Sequence, residues 1–94
     1  MSMTEAADLV TVELYGVPRQ RAGRAELAVA ARTVAEVLEA VERACPGLAG
    51  LRRPDGRLAG HYLLSIDGRQ FVTDPGLEVR PGDRVLLLSA DAGG

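Results

Sequence analysis

The sequence predicts an α+β domain, a mixed sheet of four or five strands with one main helix packed on one of its faces. Two runs in which apolar and polar residues alternate, 9–15 and 24–30, stand at the start of the chain. An amphipathic helical pattern follows at 33–44, and a continuous apolar run at 85–88 lies near the end. A single apolar helix face and several short strands bury their apolar sides against each other, which predicts this fold class.

Composition limits the protein to one small domain. The chain has 94 residues, a net charge of −2 and only 3% aromatic residues, so Val, Leu and Ile must build its core. The weakly acidic balance gives no reason to expect nucleic-acid or anionic-membrane binding. No signal peptide or membrane span is evident in the sequence, so we expect a cytoplasmic protein. A single cysteine excludes an intramolecular disulfide and a cysteine-based zinc site.

The first two strands are expected to pair as an antiparallel hairpin. Residues 19–23 form a polar connection between them, with Gly23 as a turn residue. Two alternating runs joined by a short glycine-containing connection are typical of a hairpin. The positions expected to face inward are Val10, Val12, Leu14, Ala25, Leu27 and Val29.

Thr33 is the predicted start of the main helix. The motif from Thr33 to Glu36 fits a capping box. In this motif the threonine hydroxyl accepts a hydrogen bond from the Glu36 amide, and the Glu36 carboxylate reaches back to accept one from the backbone amide of Thr33. A Pro-Gly pair at 46–47 ends the helix near residue 44. One apolar stripe at helical spacing contains Val34, Val37, Leu38 and Val41.

The second half of the chain is predicted to supply the remaining strands. Residues 46–60 are irregular, and 61–66 form a strand. Asp67-Gly68 then predicts a tight turn into a short return strand at 70–72.

The last strand is predicted to be the centre of the sheet. A Pro-Gly turn precedes it, and its continuous apolar run at 85–88 indicates burial on both faces. The predicted domain therefore spans 9–89. We expect residues 1–8 to be disordered and 90–94 to form a flexible C-terminal tail of small residues.

Few side chains are candidates for chemistry, and each has a structural explanation. Cys45 lies at the helix C-terminus, where the dipole disfavours a thiolate, so we expect a packed structural cysteine. His61 begins a strand and has no sequence neighbour that would make it an acid or base. We expect no catalytic residue and no metal site, because the aspartates beside Gly or Pro suit turn capping: Asp67, Asp74 and Asp83.

Five motifs and a terminal glycine pair follow one another along residues 9–94. They are Leu14-Tyr15-Gly16, Ala22-Gly23-Arg24-Ala25-Glu26-Leu27, Thr33-Val34-Ala35-Glu36-Val37-Leu38, Ile66-Asp67-Gly68, Pro81-Gly82-Asp83-Arg84-Val85 and Gly93-Gly94. In this order and spacing they resemble the ubiquitin-like β-grasp sulfur carriers. That family includes the molybdopterin synthase small subunit and the thiamin sulfur carrier.

The resemblance implies a function at the carboxylate of Gly94. In that family an E1-like adenylating and sulfurtransferase enzyme uses ATP to adenylate the C-terminal glycine, and sulfur then replaces the adenylate to give a thiocarboxylate. A downstream synthase accepts the sulfur. The carrier is then a consumed and recycled cosubstrate, not an enzyme, and binds no cofactor itself. Asp91, Ala92 and Gly93 would thread into partner sites, since glycine has no Cβ to obstruct a narrow channel.

The resemblance leaves the pathway open. Residues 88–91 stand where many molybdopterin-type carriers have prolines. Residues 90–94 and the longer segment 46–60 are similar to the carriers of cysteine biosynthesis. Molybdopterin and thio-metabolite pathways use the same scaffold, and fold does not choose between them. Arg52, Arg53 and Arg57 lie in an expected exposed turn and are candidate partner contacts.

Two alternatives use the same scaffold. A ubiquitin-like modifier would be conjugated through Gly94 to lysines of other proteins. A non-covalent interaction module would not use Gly94 at all. All 11 basic residues of the chain are arginine, which is typical of a GC-rich genome and leaves the chain without a lysine of its own.

Overall fold

The computed structural model describes residues 9–90, which form a five-stranded mixed sheet and two helices. The strands are β1 (Leu9–Leu14), β2 (Glu26–Ala30), β3 (Tyr62–Ile66), β4 (Gln70–Phe71) and β5 (Arg84–Ser89). The helices are α1 (Val17–Ala22) and α2 (Val34–Ala44), and a 3-10 turn spans Pro46–Leu48. The prediction of disorder for 1–8 and, apart from residue 90, that of a flexible tail at 90–94 lie outside the described residues.

The last strand occupies the centre of the sheet, as predicted. The strand order is β2-β1-β5-β3-β4. β1 pairs antiparallel with β2, which confirms the hairpin, and parallel with β5. Parallel strands need a long crossover, and here the connection between β1 and β5 includes α2. The predicted α+β architecture is therefore confirmed.

The core lies between α2 and one face of the sheet. On β5, Val85 and Leu87 point into this core and are each 1% exposed. Leu86 and Leu88, which alternate with them, are half-buried. The prediction that the last strand is buried on both faces is therefore wrong, because α2 covers only one of them. The other core residues of the strands and of α2 include Val10, Val12, Leu14, Leu27, Val29, Val34, Val37, Leu38, Val41 and Leu64.

The start of α2 carries the predicted cap with one change of partner. Thr33 Oγ1 accepts from the Glu36 amide at 3.2 Å. The Glu36 carboxylate accepts at 2.7 Å from the amide of Arg32, one residue before the expected partner. The first bond satisfies an amide that the helix itself leaves without a partner, and the second joins the first turn to the residue before the cap. At the other end of α2, Cys45 is 2% exposed and packed, as expected for a structural cysteine.

A short helix, α1, occupies the connection that was predicted to be only polar. Pro18 in its first turn is buried, and Ala22 packs against the core. Gly23 ends it at φ 75°. The helix packs closely on the 3-10 turn, where a Cβ at Gly47 would collide with the carbonyl oxygen of Arg21. Tertiary packing and proline, not apolar periodicity, therefore form α1.

The two predicted turns have the backbone geometry that their residues favour. Asp67 and Gly68 both have positive φ, at 56° and 69°, as the central residues of a type I′ turn require, and the Arg69 amide closes this turn on the carbonyl oxygen of Ile66 at 3.1 Å. In the Pro-Gly turn before β5, Gly82 has a φ of 92°, which suits a type II turn.

Candidate functional site

The chain leaves the sheet at the end of β5, between two neighbouring segments. The Ala90 amide donates to the carbonyl oxygen of His61 at 2.9 Å, beside the start of β3. On the other side, the Tyr15 amide donates to the carbonyl oxygen of Leu87 at 3.0 Å, beside the end of β1. Backbone bonds on both sides thus hold the end of β5, and the one to His61 positions residue 90.

The predicted reactive residue, Gly94, follows four positions after Ala90 in the sequence. Gly94 and the predicted threading residues Gly93, Ala92 and Asp91 lie outside the described residues. Their roles therefore stay predictions.

An aromatic pair lies beside the point where the chain leaves the sheet. The rings of His61 and Tyr62 are 4.3 Å apart between centroids and are inclined by 41°. Tyr62 is buried, and its hydroxyl accepts at 3.2 Å from the guanidinium of Arg21 in α1. These contacts connect α1 to the first residues of β3, and His61 is exposed at the strand end, as predicted.

Four apolar side chains lie together on the sheet face that α2 leaves uncovered. Leu63 pairs directly with Leu88, and Ser65 pairs with both Leu86 and Phe71. Directly opposed residues of neighbouring strands lie close enough for their side chains to touch. We name Leu63, Phe71, Leu86 and Leu88 the open-face patch. The leucines are half-buried and Phe71 is 62% exposed.

A polar network borders the open-face patch on β1. Glu13 pairs with Leu86, and one of its carboxylate oxygens accepts from the Tyr15 hydroxyl at 2.6 Å. The other oxygen lies 2.8 Å from the guanidinium of Arg84. The hydrogen bond to Glu13 raises the pKa of Tyr15 above its ordinary value of 10.0, with smaller contributions from desolvation and from the charge of Glu13.

The three arginines predicted as partner contacts differ in their surroundings. Arg52 is bound to Glu42, whose carboxylate accepts from the Arg52 guanidinium at 3.0 Å and from its amide at 2.8 Å. Arg53 and Arg57 are exposed on the same loop. A partner contact at these residues stays a prediction. In the structure, the contacts of Arg52 with Glu42 join the loop to α2.

Two of the three aspartates cap turns, as predicted. Asp74 accepts from the Gly76 amide at 2.9 Å, and Asp83 accepts from the Arg80 amide at 2.8 Å. The prediction is wrong for the Asp67 side chain, which accepts at 3.1 Å from the amide of Arg84 on β5 and so joins the β3–β4 turn to a distant strand. Each carboxylate thus has a structural partner.

Within residues 9–90, no cluster of three or more His, Cys, Asp or Glu side chains could hold a metal ion. Neither described helix has the length and apolar character of a membrane span.

The open-face patch is the feature that the sequence analysis missed. Its signal is the position of Leu86 and Leu88, which fall on the opposite face from Val85 and Leu87.

Solved structures share this fold along nearly the whole chain. SAMP1 from Haloferax volcanii is 24% identical, with a TM-score of 0.78 over 92% of this chain and 99% of that one. The small archaeal modifier protein 1 of Methanosarcina acetivorans is 22% identical, with a TM-score of 0.75 over 92% and 96% of the two chains. The fold is therefore that of the ubiquitin-like β-grasp proteins.

A third similar structure comes from a protein complex. CysO in the BexX/CysO complex of Amycolatopsis orientalis is 25% identical, with a TM-score of 0.75 over 90% of this chain and 99% of that one. In that structure a protein of this fold is bound to a partner protein. No protein-family model and no curated protein sequence matches the chain.

Proposed function

We propose that the protein is a sulfur carrier whose Gly94 carboxylate is adenylated by an activating enzyme and converted to a thiocarboxylate. One observation carries the proposal. The Gly-Gly pair follows the central strand of a β-grasp domain after three residues, 90–92, and an apolar patch lies on the open face of that strand. The carrier supplies sulfur to a biosynthetic pathway, and the sequence resemblance supports cysteine, molybdopterin or thio-metabolite synthesis as that pathway.

The proposed chemistry explains why a partner enzyme and ATP are needed. A carboxylate is a poor acyl donor, since its leaving group would be oxide. Attack of the Gly94 carboxylate on the α-phosphorus of ATP releases pyrophosphate and forms an acyl adenylate. Hydrosulfide then attacks the acyl carbon and AMP leaves. The resulting thioacid is ionised at neutral pH. When its sulfur attacks an acceptor, water hydrolyses the acyl–sulfur bond, so the sulfur stays with the acceptor and the Gly94 carboxylate is regenerated.

The length of the C-terminal segment brings the domain surface into the proposed interface. Residues 91–94 reach at most about 13 Å from Ala90 when fully extended. An activating enzyme whose catalytic site receives Gly94 must therefore contact the domain near the end of β5. Leu86 and Leu88 lie on the strand that ends there, and an uncovered apolar patch is the kind of surface that partners bind. We assign the open-face patch to this contact.

A second candidate is a protein modifier joined through Gly94 to lysines of other proteins. Similar structures are named small archaeal modifier protein 1, which favours this alternative. The adenylation step is the same. The acceptor is a lysine amine in place of a sulfur nucleophile, and the product is an isopeptide.

The test is the intact mass of the protein after incubation with ATP, a sulfide source and the activating enzyme of the same organism. We expect the mass to rise by the replacement of one oxygen by sulfur, and Gly94→Ala to prevent the change. Heavier species containing another protein would favour the modifier. If neither product forms under conditions that charge a known carrier, the remaining alternative is a non-covalent module.

A further inference from the structure

A concave surface lies at the outer edge of the sheet, beside β4. The loop of residues 53–60 and the β3–β4 hairpin enclose a cleft with a volume of about 280 Å³. Its lining includes Arg53, Arg57, Leu58, Leu63, Phe71 and Thr73. We name it the arginine cleft. Leu63 and Phe71 belong also to the open-face patch, so the two surfaces are continuous.

The rim of the cleft carries uncompensated positive charge. Arg53 lies 3.3 Å from Asp55, and both side chains are about half exposed. Asp55 also accepts from the backbone amide of Arg57 at 3.0 Å. The Arg57 guanidinium makes no ion pair with any residue in the described range 9–90. The loop thus carries two guanidinium groups beside an apolar floor, and its one carboxylate pairs with the guanidinium of Arg53.

Phe71 has no evident role in folding. It is the only phenylalanine of the chain, is 62% exposed, and lies on an edge strand of two residues. Exposed aromatic and arginine side chains that lie together are the residue types that dominate the binding energy of protein interfaces. The cleft thus combines the two types at one place.

The loop that carries the arginines is held in shape before any partner binds. A bridge joins Arg52 to Leu58, and the Arg53 amide donates to the Arg57 carbonyl oxygen at 2.7 Å. Glu42 of α2 binds both the amide and the guanidinium of Arg52, and its side chain is 19% exposed. A loop that is already ordered loses little conformational entropy on binding.

We propose that the arginine cleft binds an acidic, apolar segment of a partner protein. One apolar side chain of the segment fills the cleft against Phe71, and neighbouring carboxylates bind Arg53 and Arg57. The volume lies at the lower limit of the roughly 300–1,000 Å³ of small-molecule sites, so it suits one or two side chains and not a cofactor. Guanidinium groups bind carboxylates in the paired geometry that this charge pattern offers. The proposal does not depend on chemistry at Gly94.

The test is a titration of the ¹⁵N-labelled full chain with a capped heptapeptide, Glu-Asp-Leu-Phe-Asp-Leu-Glu, followed by amide NMR. We expect saturable shifts centred on Arg57, Phe71 and Thr73. A matched peptide with Gln and Asn in place of Glu and Asp should bind about tenfold more weakly, because its charges are removed. Shifts centred elsewhere, or equal binding of the neutral peptide, would overturn the proposal. So would tighter binding of a short polyuridylate, which would indicate an RNA surface.

Two variants of exposed side chains locate the binding. Phe71→Ser and Arg57→Glu should each weaken peptide binding about tenfold or more, as expected for central interface residues. Arg43→Glu is the matched control, since Arg43 is 74% exposed on α2, outside the cleft lining, and should bind as the native chain does. The amide NMR spectrum of each variant, compared with that of the native chain, checks that the variant is folded. One folded variant is enough to test whether the cleft binds the peptide. Unchanged affinity in a folded variant contradicts the proposal.

Discussion

The two faces of β5 use similar side chains in different surroundings. Val85 and Leu87 are each 1% exposed and lie in the core beneath α2, whereas Leu86 and Leu88 on the opposite face are half-buried. The buried pair contributes to folding because its apolar surface is removed from water. The other pair keeps apolar surface in contact with water, which is a common property of binding sites. A continuous apolar strand can thus serve stability with one face and recognition with the other.

The largest expected effect is on stability and is confined to the covered face. Leu87→Ala should lower the free energy of unfolding by about 2–5 kcal/mol, because it removes buried contacts and leaves a cavity. Leu88→Ala should cost clearly less, since its surroundings are already open to solvent. Urea unfolding of the two variants gives the comparison directly. Equal losses would contradict the division between the two faces.

The next effect is on partner binding and is confined to the open face. Leu88→Ser should raise the KM for the chain about tenfold in pyrophosphate release by the activating enzyme, as removal of a central contact does. The control is Ala28→Ser, an exposed position on β2 at the far edge of the sheet, which should leave the KM unchanged. If both variants behave as the native chain does, the enzyme does not use the open-face patch.

A smaller effect on stability is expected at the start of α2, the helix that covers one of the two faces. Thr33→Ala removes the acceptor of the Glu36 amide and should cost about 1 kcal/mol of stability. Thr73→Ala, at an exposed position outside the helices and strands, is the control and should change stability little. Thermal or urea unfolding measures both. A loss no greater than that of the control would mean that the cap does not stabilise α2.

The smallest effect is electrostatic and lies at the border of the open face. Glu13→Gln should lower the pKa of Tyr15 toward 10.0, because the acceptor carboxylate that favours the neutral phenol is replaced. The raised pKa means that this contribution to stability is complete below the unfolded-state pKa and is lost as pH rises through the folded-state value. Phenolate absorbance in a Tyr62→Phe background measures Tyr15 alone. An unchanged titration midpoint would show that Glu13 does not set the pKa.

Local patterns in the sequence were sufficient to predict most of the fold. The alternation around Val12, the cap at Thr33 and the Asp67-Gly68 turn each depend on neighbours in the chain, and the structure confirms all of them. α1 was missed because its stability comes from contacts with distant residues. Pro18 is buried and Gly47 lies against Arg21, and neither contact is visible as a periodic pattern.

The candidate site was predictable only in part. The glycine pair at the end of the sequence indicates the reactive group, and its chemistry stays a prediction. The open-face patch depends on strand register, which brings Leu63 beside Leu88 and connects Phe71 to Leu86 through Ser65. These residues come from three strands, β3, β4 and β5, so no local motif predicts that they meet.

The central claim is that Gly94 becomes a thiocarboxylate, and the C-terminal tryptic peptide of the protein from its own cells tests it most directly. Trypsin cleaves after Arg84 and releases residues 85–94, since no other Arg or Lys follows. We predict a population of this peptide that is heavier by the replacement of one oxygen by sulfur, with fragment ions that place the change at Gly94. A peptide that carries only oxygen in cells with active sulfur metabolism, or one joined to a lysine of another protein, would contradict the account.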